Sequence, residues 1–473
     1  MAPYSPERRT ALVLTGTGAH GAYHAGALRA IQEAGVKIDV VAGHGIGAGS
    51  AALAAIDGGA RLWDADGVWR ARGVTQLYGW RWPLRVGAWI GVGLVAILLV
   101  PLAVLVVGLL VYLIGFLLEM LQVNQGAALI ASYSAWQQSA FAGTGLPTIV
   151  PRAATIALTA IIGVLGIAAF LASRGVGARR VRGGWWWRII SAPLDARAAS
   201  ERFADALWDL IRGAAPLARP GRAVLGRRFS ELIAENLGQP GFRELLLVAT
   251  DLDARRDIVA ALLAEPFRRD FLAPRVGVDR RSEVLDLTGV GRDHAIDMVA
   301  AGLSAPLISE PHRLTFASDS FWRGETHRVC DRPGALQRLL EEVAAAGVRQ
   351  AIIVSGVANA AAPHRLRAAR LDLRGRFGEF QMAAEAVALR DAIEATRVYF
   401  ESIYLVQPAH NAIGPYDLHG GYDDASDRRQ DVIELAERAY EDTYRQFIEP
   451  VVGASGEQLA RHAAAPAAPF SSR

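Results

Sequence analysis

Two glycine turns hold the residues whose types and spacing could do chemistry. GTGAHG, residues 16–21, follows the apolar run TALVLT and opens an alanine-rich stretch. About two dozen residues later GHGIG, residues 43–47, follows KIDVVAG and opens another. Each reads as strand, tight turn, helix. In ester hydrolases a turn of the second kind, G-x-S-x-G, presents a serine on a strained elbow, and backbone N–H groups from a neighbouring glycine loop stabilise the oxyanion. Here the middle residue is Gly45. The first turn also has the literal form of a dinucleotide phosphate loop, G-x-G-x-x-G, which places pyrophosphate on a helix N-terminus. That fingerprint wants an acidic residue closing the second strand. Asp39 instead opens it, at the far edge of the sheet.

These turns need a sheet to hold them. TALVLT (10–15) and KIDVVAG read as buried strands, and GAYHAGALRAIQEAG reads as a helix closed by Gly35. Further strands are expected at 244–250, 313–318, 327–331, 350–356 and 402–408, with helices at 334–346 and 379–396. Alternating strands and helices imply a mostly parallel sheet covered on both faces. Two strands cannot make such a sheet, so the segments before and after residues 81–190 are expected to join in one domain. The expected divisions are 1–80 and 191–456 for the two halves, 81–190 for an insertion, and 457–473 for a disordered Ala/Pro-rich tail.

The insertion is read as a membrane hairpin. Residues 86–118 carry no charge and residues 154–173 form a second apolar run; about 20 such residues cross a bilayer. Pro101 is expected to kink the first span rather than divide it. Arg70, Arg72, Arg81 and Arg85 precede the spans, Arg174, Arg179, Arg180, Arg182 and Arg188 follow them, and only Arg152 lies in the loop 122–152. By the positive-inside rule both termini face the cytoplasm and the loop faces outward, with Trp80, Trp82, Trp89 and Trp185–Trp187 as interfacial anchors. Of the 473 residues 52% are apolar, consistent with membrane segments, and the net charge is +3. Lys37 is the only lysine. No basic stripe points to nucleic acid, no cofactor is implied, and Cys330 stands alone, so no intrachain disulfide exists.

LTGTGAHGAYHAGAL followed by IDVVAGHGIGAG resembles the start of the patatin-like phospholipases. The resemblance continues at 245–261, 301–311, 329–356 and 413–445, on both sides of the insertion. It implies a three-layer α/β/α domain and, with the two-pass insertion, placement in a bacterial cytoplasmic membrane. It also implies a Ser–Asp dyad served by a G-G-G-x-R-G oxyanion loop. Laid on that pattern, Gly45 takes the nucleophile position and Asp331 the dyad acid, and Gly16, Thr17, Gly18, His20 and Gly21 form the oxyanion loop. Thr17 and His20 replace a glycine and the arginine, and Arg332 and Pro333 replace the small residues after the aspartate. Three departures on three converging segments imply a lost dyad.

The remaining pocket candidates are Gly43, His44, Gly47, Ser50, Cys330 and Arg332. Ser50 lies within a helix and Cys330 is expected to point away from the face Asp331 uses. His24 reads as a packing or surface residue. His20, His44 and Asp331 could share a metal or a water, although no metal is assigned. The resulting expectation is a membrane-anchored, catalytically inactive lipid- or acyl-binding protein, with glycine-loop amides offered to a carboxylate or phosphate head group. The alternatives are an active lipid acyl hydrolase with a non-standard nucleophile or an activated water, and a nucleotide-binding domain using GTGAHG. The expected partners are a membrane lipid and the bilayer.

Overall fold

The computed structural model describes residues 4–173, 192–273, 280–358, 372–423 and 426–453. The tail at 457–473, the arginines from 174 to 188 and the Trp185–Trp187 triplet lie outside them. The chain forms two compact units, Met1–Gly79 with Leu194–Arg473, and Trp80–Pro193.

The first unit is built on a mostly parallel sheet. Its strands are β1 (Thr10–Thr15), β2 (Val40–Gly43), β3 (Glu244–Asp251), β4 (Arg256–Leu262), β5 (Ser282–Asp286), β6 (His312–Thr315), β7 (Thr326–Cys330), β8 (Gln350–Ser355) and β9 (Ser402–Val406). The spatial order is β9-β8-β1-β2-β3-β4-β5, with β7 pairing with β3 and β6 with β7. β3 pairs antiparallel with β4 and β7. β4 and β5 have no counterpart among the strands expected from sequence. Every residue of β1 is buried, as a strand between two parallel neighbours and two helical layers should be. Leu14 of β1 pairs in register with Gly43 of β2, so both glycine turns open from the same sheet edge.

Helices cover both faces. α1 (His20–Glu33) and α2 (Ile46–Ala54) follow the two turns directly. In the second unit lie α3 (Trp82–Met120), α4 (Gln125–Ala140) and α5 (Leu146–Ser173). The first unit continues with α6 (Arg197–Arg212), α7 (Arg222–Asn236), α8 (Phe267–Leu272), α9 (Ala295–Leu303), α10 (Ala335–Ala345), α11 (Leu373–Thr396) and α12 (Val432–Thr443). On one face Leu336, Leu339, Leu340 and Val343 of α10 and Leu389 and Ala392 of α11 pack on Val13, Val40, Leu246 and Ile353. α2 lies against β1, β2 and β3, and α9 packs on α2 and β3. The alternating apolar positions of each central strand thus feed two cores.

In the second unit α3 and α5 are long and apolar enough to cross a membrane. At 39 residues α3 extends about 58 Å, well beyond a hydrocarbon core of about 30 Å. Its side chains are exposed rather than packed into a core, Leu109 to 71% and Trp89 to 76%. The helix runs unbroken through Pro101. The expected outward loop at 122–152 is largely helical instead. Within it α4 lies along the second half of α3, where the Tyr133 hydroxyl donates to the Val104 carbonyl and Ile130 sits over Gly115. Glycines seven apart at 108 and 115 leave room for that approach, the small-residue packing common between apolar helices.

Candidate functional site

β1 and β2 deliver Thr15 and His44 to the sheet edge, and the turn after β7 brings Asp331 to the same place. Gly45 opens α2 with φ 59° and ψ −138°, a backbone that L-residues enter only under strain. The elbow therefore keeps its shape. Its interior is filled by the chain itself. The Ile46 N–H, the donor next to the elbow residue, is taken by the Gly16 carbonyl at 2.9 Å. A Cβ built on Gly45 would stand 2.2 Å from that carbonyl oxygen and 3.0 Å from Asp331 Oδ2. Gly16 itself has φ +136°, which turns its carbonyl onto the elbow. The first turn is closed in the same way. The Ala19 N–H donates to the Pro415 carbonyl at 2.7 Å, and a Cβ on Gly18 would meet that oxygen at 1.9 Å. The amides of Ile46 and Ala19 are thus spent internally, contrary to the expectation that the glycine loops offer them to a head group. Pro415 also stands where a pyrophosphate would approach, which removes the basis for nucleotide binding through GTGAHG.

His44 is buried between two partners. Its Nε2 lies 2.6 Å from Thr15 Oγ1 and its Nδ1 3.1 Å from Asp331 Oδ1. With the proton on Nδ1, the ring donates to Asp331 and accepts from the Thr15 hydroxyl. The Asp331 N–H donates to the Ser304 carbonyl at 3.1 Å. Complete burial pushes the Asp331 carboxyl above the usual carboxylate range, against the pull of His44.

A second cluster adjoins the first. Thr17 Oγ1 donates to Glu385 Oε1 at 2.5 Å, and Gln381 Nε2 donates to the same oxygen at 3.1 Å. His20 Nδ1 stands 3.5 Å from Glu385 Oε2. Burial alone would raise the Glu385 carboxyl, yet His20, Thr17 and Gln381 together hold it below its ordinary range. Tyr416, edge-to-face with Tyr78, completes the wall.

The other candidates lie elsewhere. Arg332 turns away and grips Asp257 of β4 with both ends of its guanidinium, at 3.0 and 2.7 Å, so it does not plug the pocket. Cys330 is buried, and burial beside Asp331 pushes its thiol up to about 12, which leaves it unreactive. Ser50 Oγ sits 3.3 Å from His24 Nδ1, and His24 Nε2 donates to the Thr15 carbonyl at 3.0 Å. His24 is therefore a packing residue rather than a surface one. Gly21 packs on Trp69 and Ile46, and Gly43 on Gly47. His44 and His20 go to different carboxylates, and among the described residues no group of three His, Cys, Asp or Glu is spaced to hold a metal ion.

Sequence reasoning missed Thr15, Gln381, Glu385 and Tyr416. Gln381 and Glu385 are four residues apart on one helix, so they share a face. That spacing is the one signal that could have found them.

Comparison with curated proteins gives no match. A family model, patatin-like phospholipase, matches residues 12–331, a span that begins in β1 and ends on Asp331. Both glycine turns, Gly45 and Asp331 fall inside it, and the chain belongs to the patatin-like phospholipase family.

Proposed function

We propose that this chain is a membrane-anchored member of its family that binds lipid or acyl groups without hydrolysing them, as a regulator, sensor or scaffold. The observation that carries this reading is the Gly16 carbonyl on the elbow. It fills the space of the missing nucleophile and occupies the amide beside it. Hydrolysis needs a nucleophile and free donors aimed at the oxyanion; here the nucleophile's space is filled and the Ile46 amide beside it is engaged. α3 and α5 support the anchoring. The test is fatty-acid release from mixed membrane lipids by the detergent-purified protein, with Asp331→Ala beside it. Neither protein should release fatty acid above a buffer blank. Release that disappears in the variant would overturn the proposal.

One arrangement favours the active alternative. Thr15, His44 and Asp331 form a hydroxyl–imidazole–carboxylate line, the connectivity that activates a nucleophile elsewhere. Under that reading Thr15→Val abolishes a measurable activity while the fold survives. The occupied Ile46 amide argues against it, since a tetrahedral intermediate would lack its donor.

A further inference from the structure

The second unit carries a groove of its own. It measures about 430 Å³ and is lined by Trp80, Leu84, Arg85, Ala88, Trp89 and Val92, all of them within Trp80–Pro193. That volume lies in the range of small-molecule sites. Residues four apart share a helix face, so Leu84, Ala88 and Val92 form one row of the groove and Arg85 and Trp89 the next. Along α3 the lining passes from a cation at 85, by an indole at 89, to an aliphatic side chain at 92. At 1.5 Å per residue Val92 stands about 10 Å further along the axis than Arg85.

Arg85 is the last charged residue before the uncharged run 86–118. As a helix that run is about 50 Å long, against about 40–45 Å for a bilayer with its head groups. In a chain anchored through α3, Arg85 therefore falls at head-group level and Val92 on the side of the acyl chains. Among the described residues the Arg85 side chain has no hydrogen-bond or ion-pair partner. A free guanidinium offers a planar fork of donors that matches two phosphate oxygens. Trp89, 76% exposed, adds an N–H donor and a flat apolar face. A phospholipid presents the complementary groups in the same order: phosphate, glycerol ester, acyl chain. A quaternary ammonium beside that phosphate meets Arg85 as like charge, and a net-anionic head does not.

Resting on the membrane anchoring in the reading above, we propose that this groove binds one phospholipid of net negative charge, its phosphate on Arg85 and an acyl chain along Trp89 and Val92. The test is native mass spectrometry of the full-length protein in neutral detergent, with dioleoyl phosphatidylglycerol and dioleoyl phosphatidylcholine at equal mole fraction. Phosphatidylglycerol should be retained at least about fivefold more, the preference that one basic residue near a bilayer surface supplies. Arg85→Gln should bring the two lipids within about twofold of each other. Ala88→Trp, which keeps the charge but fills the groove, should do the same, whereas Arg152→Gln should leave the preference intact. Equal retention by the unmodified protein, or a preference that survives Ala88→Trp, would overturn the site and reduce Arg85 to one more surface charge. Alkaline extraction of membranes holding the unmodified protein tests the anchoring separately. Protein that stays with the bilayer leaves the anchoring standing even where the site fails, and protein released to the supernatant would end both.

Discussion

At the scale of single residues, the glycine at position 45 is only half of what characterises the elbow. The other half is the Gly16 carbonyl, which stands in the space a side chain at 45 would need. Gly45→Ser therefore meets two obstacles, a backbone at φ 59° and an oxygen 2.2 Å from its Cβ. Strain at such a position costs on the order of 1–3 kcal/mol. The variant should melt several degrees lower and gain no esterase activity; an unchanged melting temperature with new turnover of a soluble ester would show that the Gly16 peptide yields easily. Much of the site could be read from the chain. Gly45 and the glycine loop were legible because motif and spacing fix them along short segments, and Asp331 because the family resemblance carried on to its segment. Glu385 and Tyr416 were not, because they belong to no local motif and reach the elbow only through the packing of α11 and the segment after β9. Arg332 misled for a related reason: nothing local to it announces Asp257, 75 positions away.

At the scale of elements, the site depends on how α1 is held. Gly26 lies where α1 meets α12, and a Cβ there would stand 1.8 Å from the Ala436 carbonyl oxygen. The Tyr23 hydroxyl donates to Asp442 Oδ2 at 3.0 Å across the same seam, and a capping box at Asp431 and Glu434 fixes the start of α12. Gly26→Val should push the two helices apart and cost about 1–3 kcal/mol, as overpacking does. Thermal unfolding followed by near-ultraviolet circular dichroism measures it, and a melting temperature equal to that of the unmodified protein would contradict this account of the seam. The central strands were legible as short β-branched runs next to glycine. β4 and β5 were missed because RDIVAAL and SEVLD mix charged and apolar residues without clear alternation. α4 was missed for a different reason. Its Gln, Ser and Ala residues read as a polar loop, and only the glycines of α3 show that a helix can lie there.

At the scale of the whole molecule, stability should respond to pH through a histidine outside the candidate site. Burial holds His24 down from 6.5 to about 3. As pH falls through about 6.5 the unfolded chain takes up a proton that the folded chain refuses, so stability drops by about 1.4 kcal/mol per pH unit until the lower value is reached. His327 acts in the opposite sense, because Asp251 and Glu325 overcome the effect of its partial burial and raise its pKa. Urea midpoints measured from pH 7.5 down to 5 should therefore fall, and His24→Gln should flatten the slope even if it lowers every midpoint. An identical slope in the variant would exclude His24 as the cause. The order of the strands bears on biosynthesis as well. β1 and β2 sit at the middle of the sheet, yet their neighbours β3 and β8 begin only at Glu244 and Gln350. At roughly 5–20 residues per second, a ribosome needs on the order of 10–40 s to travel from the end of β2 to the start of β3. For that interval the nascent chain displays two largely apolar strands with open edges while the long apolar helices α3 and α5 are being made. Whatever guards those strands from wrong pairing must act during synthesis, so production of this protein should depend on chaperone supply more steeply than its finished fold would suggest.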